Sequence, residues 1–238
     1  MKVLAISPFT TTGDGFRKAL PADLLARVEA SGAQLIVLPG YSAGITPSPE
    51  ELKTAIRPGC TVFVEAAPAN GDAGKAMARR QSKRADEAFN PHPPYLVTAH
   101  SITALPSQLF ARSPDRSHIE TLRDTLQART VDIAGRRFTF VLCGEINGFD
   151  TSGRLKHGLP GPPGIVVNPA HTPMGRWHLL EAKLKALARR NGFAIHVANN
   201  TLKHPVAATT DVRIYRSGIL MQGRNTESGY SAWCELEV

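Results

Sequence analysis

Short apolar runs alternate along the chain with longer segments in which apolar residues recur at helical spacing. The runs predict buried strands, because uninterrupted apolar side chains suit strands that are covered on both faces. They include KVLAIS (2–7), AQLIVLP (33–39), TVFVEA (61–66) and GIVVNPA (164–170). Helices are predicted over residues 22–31, 48–56, 72–88 and 176–192. Strands alternating with helices are typical of an α/β fold.

The rest of the chain predicts further strands and one loop. The strands are YLVTAHSI (95–102), QLFAR (108–112), FAIHVANN (193–200) and RIYRSGILMQ (213–222). TVDIAG and RRFTFVLC predict a hairpin arm followed by a central strand, and residues 113–129 before them read as a polar loop. No linker or repeat interrupts the 238 residues. We therefore expect a single domain, residues 1–238, with at least eight strands.

Charge and cysteine usage narrow the function classes. The formal net charge is +8, but the basic excess is thinly spread apart from KAMARRQSKR (75–84). That run fits a solvated helix face, and the absence of interleaved aromatics makes nucleic-acid binding unlikely. Three dispersed cysteines form no disulfide framework, and no apolar run is long enough to span a membrane. A reduced, cytoplasmic protein is expected.

The segment FTFVLCGEIN (138–147) carries the main candidate for chemistry. Cys143 ends an apolar strand, and Glu145 follows two residues later. A buried cysteine is usually inert packing, whereas a cysteine at a strand tip can act as a nucleophile. The eight histidines show no metal-binding spacing, so no metal site is predicted from them.

Several segments, taken in order, resemble the nitrilase (carbon–nitrogen hydrolase) superfamily. They are ASGAQLIVLPGYSAG, FVLCGEINGF, the long segment from VVNPA to HVANN, and the closing SGILMQGRNTESGYSAWCELEV. The resemblance implies an αββα sandwich that forms homodimers or higher oligomers. It also implies hydrolysis of a carbon–nitrogen bond in a small amide- or nitrile-type substrate, without metal or cofactor.

The chemistry implied by the resemblance requires a cysteine nucleophile, a glutamate base and a lysine that stabilises the oxyanion. Cys143 matches the nucleophile, Glu120 matches an auxiliary carboxylate, and the lysine position falls on or beside Arg112. Where the family has Pro-Glu, this chain has Pro39-Gly40, and glycine has no proton acceptor. We therefore predict a catalytic set of Cys143, Glu120 and Arg112 in a degenerate triad.

The substrate-binding residues are predicted as Gly40, Tyr41, Glu145 and His171. Glu145 has an alternative role in supporting the turn through backbone hydrogen bonds. Glu65 and His171 are alternatives for a relocated base, and Lys75 is an alternative for the missing lysine.

Two functional hypotheses remain open. The first is a divergent carbon–nitrogen hydrolase that uses Cys143. The second is an inactive nitrilase-like protein that binds a small ligand or a protein partner. Cys143 and Glu120 favour the first hypothesis, whereas Gly40 and the missing lysine favour the second.

Overall fold

The structure is a computed structural model, and it describes residues 1–10, 29–40, 48–65, 93–110, 114–170, 177–198, 200–201, 212–221, 224–228 and 231–238.

The elements alternate as the apolar pattern predicts. The helices are α1 (Pro49–Ala55), α2 (Arg116–Ala128) and α3 (Trp177–Asn191), with a 3-10 helix at Cys143–Gly148. The strands before this 3-10 helix are β1 (Lys2–Thr10), β2 (Leu35–Val37), β3 (Thr61–Glu65), β4 (Pro94–Thr98), β5 (Ile102–Ala104), β6 (Thr130–Ile133) and β7 (Arg136–Phe140). Those that follow are β8 (Ile165–Ala170), β9 (Phe193–Ala198), β10 (Asn200–Thr201), β11 (Val212–Arg216), β12 (Ile219–Leu220), β13 (Arg224–Ser228) and β14 (Ser231–Glu237).

The described strands form two sheets. The first has the order β13-β14-β1-β2-β3-β4-β5, with β10 paired to β1, and the second has the order β12-β11-β9-β8-β7-β6. Strands β1, β2 and β3 are parallel to one another, and so are β7, β8 and β9. Strand β10 follows β9 closely and pairs in parallel with β1, so these two groups run in the same direction. Their carboxyl ends therefore lie at one end of the molecule.

The apolar core fills the space between the two sheets. Phe63 of β3 stacks on Phe140 of β7 with ring centroids 4.6 Å apart, which joins the sheets across this layer. A second apolar layer lies under α1, and a third lies under α2 and α3 on the outer face of the second sheet. The order of layers is helix, sheet, sheet, helix, and the prediction of an αββα sandwich is confirmed.

Helix α2 corrects the prediction of a polar loop over residues 113–129. Its apolar positions Ile119, Leu122 and Leu126 are all buried at helical spacing. The Asp115 side chain caps the first turn by accepting a hydrogen bond from the His118 N–H at 3.0 Å.

The strand predictions also need two local corrections. The strand predicted over residues 95–102 is broken at residues 99–101, where the chain bends between β4 and β5. The strand predicted over residues 108–112 is wrong for 108–110, which form no ladder and lie against the segment after β7 instead.

Among the described residues, no helix combines the length and the apolar character needed to cross a membrane.

Candidate active site

Cys143 lies near the start of the segment that we call the cysteine turn, residues 142–148. The sequence predicted Cys143 at the end of a strand. Strand β7 ends at Phe140, so the thiol lies three residues beyond it. The Cys143 backbone has φ = 28°, a left-handed value that side chains other than glycine rarely adopt. Such strain persists only where the surroundings hold it, and it is concentrated at functional sites. The Cys143 side chain is half-buried.

Glu145 holds the cysteine turn in place. Its Oε2 accepts a hydrogen bond from the Leu142 N–H at 3.0 Å, and its own N–H donates to the Leu142 carbonyl at 2.8 Å. The first bond is the side-chain half of a capping box and the second is the backbone bond that closes the 3-10 turn, and together they fix the backbone on both sides of Cys143. The Glu145 side chain is completely buried.

Arg129 neutralises Glu145 and completes its hydrogen bonding. The two side chains are both 0% exposed, and the guanidinium donates to Oε2 at 2.5 Å and to Oε1 at 3.1 Å. Arg129 also donates to the carbonyls of Pro106 at 2.8 Å and Ser107 at 2.5 Å. The Leu109 N–H donates to Glu145 Oε1 at 2.7 Å. One buried ion pair therefore joins the end of α2, the segment 105–110 and the cysteine turn.

A second polar group supports the same turn from β8. The Asn168 amide nitrogen donates to the carbonyls of Val141 at 2.7 Å and Cys143 at 3.3 Å. Asn168 Oδ1 lies 2.8 Å from Nδ1 of His196 on β9. Both side chains are about 1% exposed. In the β9–β11 register, Arg213 stands opposite His196 and extends this polar row.

Burial and the nearby Arg213 cation lower the pKa of His196 from 6.5 to about 3. The imidazole is therefore neutral at physiological pH. Because Asn168 Oδ1 can only accept, the proton of the neutral ring is on Nδ1.

Gly40 reaches the same end of the molecule. Its N–H donates to the Ala170 carbonyl at 3.2 Å, which connects the chain beyond β2 with the end of β8. Strand β8 therefore contacts Gly40 through Ala170 and the cysteine turn through Asn168, two residues earlier. Gly40 and the cysteine turn thus both contact the end of β8.

Glu65 is the last residue of β3 and is completely buried. Continuing the β2–β3 register places it beside Pro39, next to Gly40. Side chains two apart on a strand share a face, so Glu65 points to the same side as Phe63, between the sheets. Phe63 stacks on Phe140, and the cysteine turn begins two residues beyond Phe140. Glu65 and Cys143 thus lie at the same carboxyl end of the two facing strands.

Solved structures of known proteins share this architecture. A carbon–nitrogen hydrolase superfamily protein from Xanthomonas campestris, with an arsenic adduct in its active site, has a TM-score of 0.53 at 15% identity over 100% of this chain and 91% of that chain. An amidase from Nesterenkonia sp. has a TM-score of 0.54 at 13% identity over 99% of this chain and 90% of that chain.

The chain has the carbon–nitrogen hydrolase fold. A glutamate-to-glutamine variant of the amidase from Nesterenkonia sp. AN1 also matches, with a TM-score of 0.51 at 15% identity over 99% of this chain and 90% of that chain. That variant shows covalent addition of the acetamide moiety of fluoroacetamide at its active-site cysteine. Neither protein-family models nor curated protein sequences match the chain.

Within the carbon–nitrogen hydrolase fold, the predicted site residues have different placements. Cys143, Gly40 and Glu145 come together at the strand ends, but Glu145 is enclosed by the Arg129 and backbone contacts, so the turn-supporting alternative fits its placement better than a substrate contact. Glu120 lies on the solvent side of α2 and pairs with Arg116 at 3.0 Å, with 49% of its side chain exposed. This placement does not support a catalytic role for Glu120.

The remaining candidates from the sequence, Arg112, Tyr41, His171 and Lys75, lie outside the described residues. Within the described ranges, no group of three or more histidine, cysteine, aspartate or glutamate side chains could hold a metal ion.

Sequence reasoning missed Arg129, Asn168 and His196. Asn168 carried one signal, because an amide inside the apolar run GIVVNPA must find partners when the strand is buried. His196 carried the same signal in FAIHVANN. Arg129 carried none, since it follows a helix that was not predicted.

The depressed pKa of His196 makes the stability of the fold sensitive to acid. Below about pH 6.5 His196 is protonated in the unfolded chain, whereas in the native state it stays neutral until the pH falls to about 3. The free energy of unfolding therefore decreases as pH falls through this window. Between about pH 7.5 and pH 5 this group alone should lower the free energy of unfolding by about 2 kcal/mol.

Urea unfolding at these two pH values measures the effect. The loss should be about 2 kcal/mol smaller in His196→Asn, which keeps a δ-position donor but cannot titrate in this range. An equal loss in both proteins would contradict a neutral His196.

Proposed function

We propose that this protein is a divergent carbon–nitrogen hydrolase that acts on a small amide- or nitrile-type substrate through Cys143. The observation that carries the proposal is the left-handed backbone of Cys143, held by buried polar contacts on two sides. A strained, half-exposed cysteine supported in this way is typical of a nucleophile and costly for a residue that only packs.

Glu65 is proposed as the base that replaces the family glutamate. Gly40 leaves its own position without a proton acceptor, and Glu65 is the buried carboxylate on the neighbouring strand end. In the first step, Glu65 takes the thiol proton while the sulfur forms a bond to the amide carbon. The carboxylic acid then gives that proton to the departing amine as the carbon–nitrogen bond breaks.

The second step hydrolyses the thioester. Glu65 takes a proton from water, the hydroxide adds to the thioester carbon, and the sulfur leaves and recovers its proton. The products are a carboxylic acid and the free thiol.

The backbone at Gly144 supplies a donor for the negative oxygen that forms in each step. In a trans peptide the C=O of one residue and the N–H of the next point in opposite directions. The Cys143 carbonyl accepts a hydrogen bond from Asn168, so the Gly144 N–H points away from β8. Such a fixed backbone donor stabilises a tetrahedral oxyanion without reorganisation.

The adduct of the glutamate-to-glutamine amidase variant supports a reactive thiol here. In that protein, the active-site cysteine takes up an acetamide group although one glutamate is replaced. We propose the same behaviour for Cys143, although this chain has Gly40 where the family carries its glutamate base.

A protein that binds its ligand without turnover is the second candidate function. Gly40 favours it, and so does the composition of residues 105–110 beside the cysteine turn, which contain no lysine or arginine. In that case Cys143 would hold an acyl group indefinitely. The homodimer and the single-domain organisation stay predictions.

Intact-mass spectrometry after incubation with fluoroacetamide or an activated ester tests the proposal. We expect one adduct per chain, located on Cys143 by peptide mapping and absent from Cys143→Ala. Cys60, which is buried and whose pKa is raised by burial, serves as the internal control and should stay unmodified. Release of the ester-derived acyl group over time indicates a hydrolase, and its persistence indicates the binding protein. Labelling of Cys60 ahead of Cys143 would contradict both.

A further inference from the structure

Asn168 and His196 form a polar row beneath the cysteine turn, and a buried strand pair does not require such polar side chains for folding. Asn168 and His196 stand opposite each other on β8 and β9, among strands whose other described residues are mostly apolar. Burying an amide and an imidazole costs free energy that hydrogen bonds at best repay. Alternation along β8 and β9 directs both side chains to the outer face of the sheet, toward α3.

Both amide hydrogens and the amide oxygen of Asn168 are bonded, and in only one arrangement. Its two amide hydrogens go to the carbonyls of Val141 and Cys143, at 2.7 and 3.3 Å. Carbonyls cannot donate, so the nitrogen of the amide must face them and Oδ1 must face His196. His196 Nδ1 then donates to Oδ1 at 2.8 Å. A histidine that presented a lone pair from Nδ1 would instead favour the flipped amide, which would place an oxygen against two carbonyl oxygens.

The two carbonyls that Asn168 binds flank the strained residue. The Val141 carbonyl belongs to the peptide before Leu142, and the Cys143 carbonyl belongs to the peptide before Gly144. Fixing the 143–144 peptide fixes the direction of the Gly144 N–H, and fixing the 141–142 peptide holds the chain just before the strained Cys143. The Glu145 side chain holds the first of these peptides from its other side, through the Leu142 N–H, but the structure gives it no bond to the 143–144 peptide.

We propose that Asn168 and His196 are positioning residues for Cys143: His196 holds the Asn168 side chain in place through Oδ1, and Asn168 holds two peptide groups of the cysteine turn, including the one that carries the Gly144 N–H. The inference rests on the proposed role of Cys143 as nucleophile and adds two residues that act through the backbone and not on the substrate. Its consequence is that the reactivity of the thiolate depends on side chains of β8 and β9.

The test measures alkylation of Cys143 by iodoacetamide as a function of pH, with mass spectrometry as the readout and no turnover required. In Asn168→Leu the peptide planes are released, so the alkylation midpoint should move to higher pH and the rate at neutral pH should fall on the order of tenfold, the effect of one pKa step. His196→Leu should shift the midpoint in the same direction, because Asn168 Oδ1 then loses its donor and the side chain is held less firmly against the two carbonyls.

His196→Asn is the conservative variant. Its amide nitrogen occupies the same δ position as the imidazole Nδ1 and can donate to Asn168 Oδ1, so it should restore the wild-type midpoint that His196→Leu loses. A role limited to folding would not be rescued in reactivity by a donor at that one position. This pair of variants also decides the matter if Asn168→Leu does not fold.

Thr139→Val is the matched control. Thr139 is a buried polar residue on β7 whose hydroxyl donates to the Pro163 carbonyl at 2.6 Å, away from the cysteine turn. The Thr139→Val substitution should lower the melting temperature without moving the alkylation midpoint of Cys143. Equal midpoints in wild type, His196→Leu and His196→Asn would overturn the positioning role.

The wild-type measurement separates this inference from the proposed function. A Cys143 that alkylates no faster than a thiol in the urea-unfolded chain would overturn the nucleophile itself. A fast wild-type reaction with unchanged variants would remove only the roles of Asn168 and His196.

Discussion

Arg129→Met should lower the free energy of unfolding by about 3–5 kcal/mol, the usual result of removing one partner of a buried ion pair. The guanidinium is completely buried and binds Glu145 together with the carbonyls of Pro106 and Ser107. Its loss leaves a buried carboxylate without a counter-ion and removes the donor from two partly buried carbonyls. Because Glu145 also caps the cysteine turn, labelling of Cys143 should slow in the protein that remains folded.

Arg116→Met provides the matched control for urea unfolding of Arg129→Met. Arg116 and Glu120 form an arginine–glutamate pair on the same helix, but with side chains 76% and 49% exposed. Pairs of this kind contribute about 0–1 kcal/mol. The double variant Arg129→Met/Glu145→Met should recover part of the stability, because no unpaired charge remains. Similar losses in Arg129→Met and Arg116→Met would show that the buried pair does not hold the turn.

Glu65→Gln should lower the rate of thioester hydrolysis by about 10²–10⁴-fold, the usual contribution of a general base. The amide keeps the size and hydrogen-bonding capacity of the carboxylate but cannot take a proton from water. An acyl group on Cys143 should therefore persist in the variant. The time course of deacylation, followed by intact mass, gives the rate.

Two further variants make the Glu65 result specific. Glu120→Gln removes the exposed carboxylate on α2 and should leave deacylation unchanged. Gly40→Glu, introduced into Glu65→Gln, returns a carboxylate to the position where the family carries one, and should restore part of the rate. Deacylation that continues at the wild-type rate in Glu65→Gln would show that another group is the base.

The layers of the fold could be predicted because burial leaves a local record in the sequence. Uninterrupted apolar runs predicted β3 and β8, and the Ser48-Pro49 start with Glu51 in the first turn predicted α1, whose capping box the structure contains. Helix α2 was missed because polar residues outnumber its apolar ones. Its buried apolar stripe consists of three residues, and the segment was therefore interpreted as a loop. The three are Ile119, Leu122 and Leu126.

The sequence indicated site residues that lie in recognisable motifs or at strand ends, but not the long-range pairs that support them. Cys143 and Glu145 were recognised from one short motif. Arg129 binds Glu145 from 16 residues away, and His196 meets Asn168 across 28 residues. These pairs depend on where helix α2 ends and on the β8–β9 register, and neither leaves a pattern in the local sequence.

Strand β8 contacts both halves of the site, the cysteine turn and the segment at Gly40. It bonds the cysteine turn through Asn168 and the Gly40 segment through Ala170, two positions further along the same backbone. When β8 shifts along its axis in thermal motion, both halves shift with it, and the spacing between them changes little. We therefore expect the spacing between the two halves to depend on the segment of β8 from Asn168 to Ala170. Motions that bend β8 between Asn168 and Ala170, at Pro169, are the ones that would alter it.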